Sequence, residues 1–335
     1  MTTRPKGGSF FKGFGERNIK LEYRELGNTK IIVSRLCFGS LTLSPLQAAL
    51  PVKEGKAVMH AALEQGVNFI DTAQIYNNYQ YIKETISKNF RDTVVASKSY
   101  DYTRTGVQKS VEKALRGIGR DYIDIFLLHE QESALTIKGH WEAVEGLISA
   151  RQKGYVRAIG ISTHHIQGVR AAALTPELDI IHPIINKSGI GIQDGSVGEM
   201  TDAISFARSA GKGLYGMKAL GGGNLIAERN EALRYVLSIQ ELASVAVGMQ
   251  TIDEVNFNIS FFLGKAVPEL IQQRIEQYNR CLHIEDWCRA CGLCLDKCSA
   301  GALSIVSDKA TVNPNLCRLC GYCSTACPEF CIKII

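Results

Sequence analysis

Eight of the eleven cysteines form two copies of one spacing close to the C-terminus. Each copy reads C-x2-C-x2-C-x3-C, and the second begins 29 positions after the first. In iron–sulfur proteins with this spacing, three thiolates bind one cluster and the fourth binds the neighbouring cluster. The sequence therefore predicts two [4Fe–4S] clusters, the first held by Cys288, Cys291, Cys294 and Cys327 and the second by Cys317, Cys320, Cys323 and Cys298.

The segment around these cysteines resembles a bacterial two-cluster ferredoxin, and its second copy ends in the Cys327-Pro328 pair typical of that family. The first copy differs in having Ser299 in place of the proline, a change that removes no sulfur ligand. Structural zinc is the alternative, but zinc sites usually take two C-x2-C pairs about 15 to 20 residues apart. A disulfide framework is disfavoured because nothing marks the chain as secreted.

A second group of polar residues stands at the C-terminal ends of three neighbouring predicted strands. Asp71, Lys98 and His129 lie at these ends, and Tyr76 follows Asp71 by five positions. In a (β/α)8 barrel, chemistry occurs at the C-terminal ends of the strands. Tyrosine is a weak acid, with a pKa of about 10, and a neighbouring lysine ammonium lowers that pKa toward neutrality. We predict that Asp71 orients the lysine and that a neutral His129 directs a substrate carbonyl toward the tyrosine.

The segments around these four residues resemble those of the aldo-keto reductases, and the resemblance covers most of residues 21–265. The matching segments are FIDTAQIY at 69–76, ASK at 96–98 and DYIDIFLLH at 121–129. The resemblance implies reduction of a small-molecule carbonyl compound, in which a nicotinamide delivers hydride and Tyr76 protonates the oxygen. It also implies that Asp71 and Lys98 tune the tyrosine and that His129 orients the substrate.

The resemblance further implies an extended nicotinamide dinucleotide, NAD(H) or NADP(H), bound without a glycine-rich phosphate motif. Its contacts would come from residues on strand six or after strands five, seven and eight, namely Ser162, Thr163, His182, Leu220, Gly221, Gly222, Gly248, Gln250, Glu254 and Asn258. Ser162-Thr163 could equally cap a helix, and the glycines at 221–223 could form a flexible loop. Acidic Asp253 and Glu254 stand where NADP-dependent relatives carry basic residues, which slightly favours NAD.

Eight short segments rich in β-branched residues alternate with longer segments of helical period before residue 265. The predicted strands are residues 35–38, 67–71, 93–97, 122–128, 156–161, 180–185, 213–217 and 242–247. Eight strand-then-helix units in about 235 residues fit an α/β fold of the closed (β/α)8 TIM-barrel type. A doubly wound open sheet competes with it, but no G-x-G-x-x-G follows the first strand. Residues 21–33 predict a hairpin that closes the bottom of the barrel.

The size and composition of the chain limit its organisation. Its 335 residues are 45% hydrophobic and carry a net charge of +5, which is too small to indicate nucleic-acid binding. No apolar run approaches the roughly 18 residues of a membrane span. We expect an N-terminal arm at 1–20, the barrel at 21–265, a helical linker at 266–284 and a small α+β ferredoxin-like iron–sulfur domain at 285–335, folded with the help of its metal ligands. Clusters and reduced thiols predict a cytoplasmic protein.

The two predicted parts handle electrons differently, because a hydride carries two electrons and an iron–sulfur cluster moves one. In one interpretation the barrel reduces a carbonyl with NAD(P)H, and the clusters are structural or support a homo-oligomer. In a second, the clusters pass electrons from a ferredoxin or another redox partner protein to the substrate or to a bound flavin. In a third, the barrel is a scaffold and the protein is an electron-transfer subunit of a larger complex. The complete set of Asp71, Tyr76, Lys98 and His129 favours an enzyme.

Overall fold

The computed structural model describes residues 20–86 and 90–335, so the predicted arm at 1–20 lies outside it apart from Lys20. The described chain opens with an antiparallel hairpin of strands β1 (Tyr23–Glu25) and β2 (Ile32–Ser34). The turn between them needs a glycine, because Gly27 has a φ of +55 and a Cβ there would lie 2.3 Å from the amide nitrogen of Gly213. The hairpin expected at 21–33 is therefore present.

Eight parallel strands close into a barrel. They are β3 (Leu36–Gly39), β4 (Phe69–Asp71), β5 (Val94–Ser99), β6 (Ile123–Leu128), β7 (Val156–Thr163), β8 (Ile180–Pro183), β9 (Gly213–Gly216) and β10 (Ser244–Gly248). Each pairs with the next along the chain, and β10 pairs with β3 to complete the circle. This closure rules out the open sheet and confirms the predicted barrel. The hairpin turn contacts the N-terminal end of β9, which is the bottom of the barrel.

Alternate side chains of the barrel strands enter two different cores. Phe69 of β4 belongs to the cluster inside the barrel, where its ring lies 4.9 Å from that of Tyr215. Its neighbour Ile70 belongs to the cluster between the strands and the surrounding helices. Because successive residues of a strand point to opposite faces, strands buried on both faces are apolar throughout. This explains why the strands appear as continuous β-branched runs.

Helices cover the outside of the barrel. Up to residue 276 the described helices are α1 (Val52–Glu64), α2 (Tyr79–Thr85), α3 (Arg104–Ile118), α4 (Ala134–Gly139), α5 (Trp141–Gln152), α6 (Ile166–Ala173), α7 (Val197–Ser209), α8 (Arg229–Ser238), α9 (Ile252–Phe262) and α10 (Glu269–Glu276). Ser196 and Glu199 form a reciprocal capping box at the start of α7. None of the helices in the described ranges combines the length and the apolar character needed to cross a membrane.

The C-terminal part is a small α+β unit made of two strand–helix–strand copies. The first copy is β11 (Leu282–Ile284), α11 (Leu293–Asp296) and β12 (Leu303–Val306), and the second is β13 (Lys309–Val312), α12 (Tyr322–Thr325) and β14 (Ile332–Ile334). The copies interlock, because β11 pairs with β14 and β12 pairs with β13. Their shared core is small and contains Cys294, Cys323 and Cys331 beside aliphatic side chains.

Strand β14 lies against the C-terminal end of the barrel, at the turn Gly221–Gly223 that follows β9. A Cβ on Gly223 would lie 1.9 Å from the carbonyl oxygen of Ile334, and one on Gly222 would lie 2.8 Å from the Lys333 side chain. The Asn224 amide also donates to the carbonyl oxygen of Ile332 (3.4 Å). The C-terminal unit therefore covers part of the barrel end at which chemistry occurs in this fold.

Candidate active site

A buried ion pair lies at the ends of β4 and β5. Lys98 Nζ donates to Asp71 Oδ2 (2.7 Å) and to the carbonyl oxygen of Thr72 (2.8 Å). The two charged side chains are only 1% and 7% exposed. Because both partners are held by neighbouring strands of the barrel, the ammonium is a fixed positive charge beneath the turn Gln74–Tyr76.

Tyr76 lies directly beside this ammonium. Its ring centroid is 5.2 Å from Lys98 Nζ. Burial raises the pKa of Tyr76 well above its ordinary value, and the charges of Asp71 and Glu130 raise it further. The sequence predicts that Lys98 lowers this pKa, and the structure shows the opposite direction. Sequence reasoning takes account of the nearby ammonium but not of the burial, and Lys98 donates its hydrogen bonds to Asp71 and a carbonyl group rather than to the phenol.

His129 follows β6 and completes the predicted group of four. Its ring stacks on Tyr100 with centroids 4.4 Å apart and lies 6.1 Å from the ring of Tyr76. Burial lowers the pKa of His129 to about 3, so the imidazole is neutral at physiological pH. Its Nδ1 is buried and has no hydrogen-bond partner in residues 20–86 and 90–335. The four residues are thus brought together around the buried ammonium, and Nδ1 of His129 is closed off from solvent.

Two further side chains hold Asp71 and were not assigned this role from the sequence. The Tyr215 hydroxyl, inside the barrel on β9, donates to Asp71 Oδ1 (2.9 Å). His182 Nε2 lies 3.6 Å from the same oxygen, and its ring stacks on Tyr215 with centroids 3.8 Å apart. His182 was expected to contact a nucleotide. A tyrosine hydroxyl in a barrel interior needs a polar partner, and this was the available signal for Tyr215.

An elongated cavity of about 1130 Å³, open to solvent, begins at this group and is lined at one end by Asp71 and Tyr76. It runs past the turn after β9 to the start of α9. The predicted nucleotide contacts that line it are His182, Leu220, Gly222, Gly248, Gln250, Glu254 and Asn258. A long cavity with a catalytic group at one end fits an extended ligand better than a compact one.

The far end of the cavity is more basic than the sequence suggests. Arg280 donates to Glu254 (2.6 Å), and Arg274 lies 3.6 Å from Asp253. Arg229 also lines the cavity, and its buried Nε has no partner among the described residues. The expected preference for NAD rested on the two acidic residues, and each is paired with an arginine. These arginines were missed because they come from outside the segment 248–258.

Three predicted nucleotide contacts do not line the cavity: Ser162, Thr163 and Gly221. The Ser162 hydroxyl accepts a hydrogen bond from the backbone amide of Glu130 (3.0 Å), and that of Thr163 accepts one from the amide of His165 (2.9 Å). Both side chains are fully buried. Their hydroxyls stabilise the loops that follow β6 and β7.

The eight pattern cysteines are brought together in the two predicted groups. A cavity of about 320 Å³ is lined by Cys288, Cys291, Cys294 and Cys327, and one of about 400 Å³ by Cys298, Cys317, Cys320 and Cys323. Backbone amides donate to two of the sulfur atoms, from Ala302 to Cys298 (3.2 Å) and from Ala310 to Cys288 (3.4 Å). Across the two described ranges, no three His, Cys, Asp or Glu side chains are arranged to hold a metal ion.

The C-terminal unit contributes side chains to the rim beside Tyr76. Phe330 is 2% exposed, and its ring meets the edge of His164 at 5.9 Å between centroids. The charge of Glu285, which follows β11, adds to the effect of burial that raises the pKa of Tyr76 and opposes the effect of burial that lowers the pKa of Lys218. Nothing in the cysteine spacing indicates these contacts, because they arise only when the unit docks on the barrel.

Comparison with known proteins agrees with this geometry. Residues 35–232 match the Aldo/keto reductase family. L-galactose dehydrogenase of Arabidopsis thaliana is 25% identical over 307 residues, which cover 77% of this chain and 92% of that protein. Methylglyoxal reductase DkgA of Salmonella typhimurium is 24% identical over 173 residues, or 49% of this chain and 62% of that one. An aldo-keto reductase of Mycolicibacterium paratuberculosis is 34% identical over 120 residues, or 34% and 41%.

Solved structures show the same fold. A putative aldo-keto reductase from Pseudomonas aeruginosa superposes with a TM-score of 0.63 at 22% identity, covering 72% of this chain and 95% of that one. The aldo-keto reductase AKR11C1 from Bacillus halodurans, in its holo form, gives 0.63 at 22% identity, with coverage of 77% and 96%. The family match spans more than half of the chain and includes Asp71, Tyr76, Lys98 and His129. The chain therefore belongs to the aldo/keto reductase family.

Proposed function

We propose that the protein is a cytoplasmic iron–sulfur oxidoreductase that reduces the carbonyl group of a small molecule, with Tyr76 as the proton donor. The observation that carries this proposal is the position of Tyr76 above the buried Asp71–Lys98 pair, at one end of the elongated cavity. When bound there, NAD(P)H supplies a hydride. The residues that would hold it are those lining the cavity. The buried Oδ1 of Asn258, unpartnered in the described part of the chain, fits a ligand that donates a hydrogen bond.

The side chains divide the work of carbonyl reduction. The carbonyl oxygen becomes basic when its carbon accepts a hydride, and the protonated phenol of Tyr76 then donates a proton to it. Lys98, fixed by Asp71, stabilises the phenolate that remains. His129 is neutral, and its other ring nitrogen, Nε2, can donate a hydrogen bond that holds the carbonyl oxygen close to the phenol.

The C-terminal unit supports the proposal of two [4Fe–4S] clusters. Each cavity is lined by three pattern cysteines of one copy and one of the other, as the interlocked strands require, and Cys331 also lines the first cavity. The backbone amides that donate to the sulfur atoms of Cys298 and Cys288 are hydrogen bonds of the kind that tune the reduction potential of a cluster. A four-iron cluster binds each thiolate at a different iron, so its ligands surround a volume and do not converge on one ion.

A second candidate function is favoured by the position of the C-terminal unit. The unit lies against the barrel rim through Phe330 and β14, while Cys320 is exposed on its surface. This arrangement suits electrons that enter from a one-electron donor protein, such as a ferredoxin, and reach the cavity, where a flavin could collect two of them. A purely electron-transferring subunit would leave the group around Tyr76 without a role.

Replacing Tyr76 by phenylalanine tests the proposed function. The variant should lose carbonyl reduction by about 10²- to 10⁴-fold, the usual contribution of a positioned acid. Iron and sulfide should remain at about eight of each per chain, because Tyr76 lies outside the cysteine cavities. The matched control is Tyr102→Phe, whose side chain is 65% exposed and should be silent. Full activity in Tyr76→Phe would refute the assignment.

A further inference from the structure

Lys218 presents a cation to the catalytic end of the elongated cavity. It follows β9 and lines the cavity together with Tyr76 and His182. Its φ of 62 is left-handed, a conformation that residues with side chains adopt rarely. Two other residues of this rim, Glu130 and Phe330, have φ of 53 and 47. Both the barrel and the C-terminal unit therefore contribute residues with left-handed backbone conformation to the mouth of the site.

The carboxylates whose charges act on Lys218 are bound to other groups. Burial lowers the pKa of Lys218, and the charges of nearby carboxylates oppose this effect. The partners are Lys98 for Asp71 (2.7 Å), Tyr100 for Glu130 (2.6 Å) and His283 for Glu285 (3.2 Å). In residues 20–86 and 90–335, Lys218 has no carboxylate within ion-pair distance and no hydrogen-bond acceptor. Its ammonium is available to a ligand.

A second ammonium lies on the same aromatic ring. The centroid of Phe330 is 5.2 Å from Lys218 Nζ and 3.0 Å from Lys333 Nζ. Lys333 is 1% exposed, and its ammonium donates to the carbonyl oxygen of Phe330. Neither lysine is paired with a carboxylate in the described structure, and burial lowers the pKa of both ammonium groups, because an unpaired charge is costly to bury. A bound oxyanion would compensate them.

We propose that Lys218 binds the carboxylate of the substrate and that the substrate is a short 2-oxo acid. The inference rests on the carbonyl reduction proposed above. In a 2-oxo acid the carboxylate is adjacent to the reacting carbonyl, so one small molecule can engage both Lys218 and Tyr76. C2 accepts a hydride with its two electrons from the reduced nicotinamide, and the oxygen accepts the proton of Tyr76. The products are a 2-hydroxy acid and the oxidised nicotinamide, and solvent returns the proton to Tyr76.

Pyruvate and methyl pyruvate provide the test, because they share the reacting carbonyl and differ in charge. The wild-type protein should show a higher kcat/KM for pyruvate. Lys218→Met should lower kcat/KM for pyruvate by about 10- to 100-fold, the size of a lost charge-assisted hydrogen bond, and leave methyl pyruvate nearly unchanged. Lys218→Arg, which keeps the charge, should retain the preference. Lys113→Met on the exposed face of α3 is the matched control.

The outcomes separate this inference from the function on which it rests. A wild-type protein that reduces methyl pyruvate but not pyruvate would overturn the carboxylate site and leave the carbonyl reductase standing. Equal losses with both substrates in Lys218→Met would also overturn it. If equilibrium titration then showed weaker NAD(P)H binding, Lys218 would be a ligand of the nucleotide phosphates. Failure of the wild-type protein to reduce any carbonyl compound would refute the proposed function itself.

Discussion

Replacing Gly223 by alanine should separate the C-terminal unit from the barrel. A Cβ at this position would lie 1.9 Å from the carbonyl oxygen of Ile334 and 2.8 Å from its carbonyl carbon. Both are backbone atoms that cannot rotate away, so β14 would have to move by about an ångström or more to restore ordinary contact distances. The φ of +91 adds about 1–2 kcal/mol of strain for any residue with a Cβ.

The cost of undocking follows from what β14 and its approach bury. Phe330, Ile332 and Ile334 are 2%, 1% and 7% exposed. Full burial of one such side chain is worth about 1.5–3 kcal/mol, so partial exposure of the three costs on the order of 3–5 kcal/mol. Gly264→Ala is the matched control, because its φ is +64 and no atom lies within 4 Å of an added Cβ. It should cost only the backbone strain, about 1–2 kcal/mol.

Hydrogen exchange under anaerobic conditions measures this effect. The amides of residues 330–334 should exchange faster in Gly223→Ala than in the wild type or in Gly264→Ala. Limited proteolysis should cut the first variant preferentially between residues 264 and 282, where the two parts are joined. If both alanine variants behaved alike in exchange and proteolysis, the packing of β14 on the glycine turn would be wrong.

Three further changes test other parts of the structure. Cys294→Ser should remove about half of the iron and destabilise the C-terminal unit while the barrel stays folded. Cys281→Ser, at an exposed cysteine outside the pattern, is the control. The same iron content in both variants would contradict this prediction. Arg280→Ala should weaken NADPH binding about tenfold more than NADH binding in fluorescence titrations, because Glu254 loses its counter-charge; equal weakening would contradict it. The unfolding free energy should be fully retained above pH 6.5 and fall below it, by up to about 1.4 kcal/mol per pH unit for each buried rim histidine. The histidines are His129, His164 and His182, whose pKa values are lowered in the folded protein. In this pH range they therefore take up protons only on unfolding. An unfolding free energy, measured in urea, that does not change between pH 7.5 and 5.5 would contradict this prediction.

The barrel and the group around Tyr76 could be predicted because both follow from local patterns. Each strand is a short β-branched run, so the last residue of the run in the sequence marks the C-terminal end of a barrel strand. Asp71, Lys98 and His129 stand at three such ends, so closing the barrel brings them together without further information. The two cysteine groups follow from spacing in the same way, because the cysteines of each lie within one repeated loop except for the fourth.

The remaining features depend on contacts between segments that are distant in sequence. Tyr215 reaches Asp71 across the inside of the barrel, and Arg280 reaches Glu254 from beyond α10. Gly221 and Gly222 were expected to contact a nucleotide, but at Gly222 and Gly223 the missing side chains leave room for β14. The direction of the Tyr76 pKa was wrong for a similar reason, because burial is a property of the whole fold.

The most direct test of the proposed reaction is to follow deuterium from the nicotinamide into the product. NAD(P)H carrying deuterium at both C4 positions would be supplied anaerobically with a carbonyl substrate, and the alcohol would be examined by mass spectrometry. A hydride delivered at the Tyr76 end of the cavity places one deuterium on the carbon of the former carbonyl. An alcohol without deuterium, formed at the same rate, would mean that the new hydrogen comes from water. That result would contradict direct reduction in the barrel and favour electrons passed through the C-terminal unit.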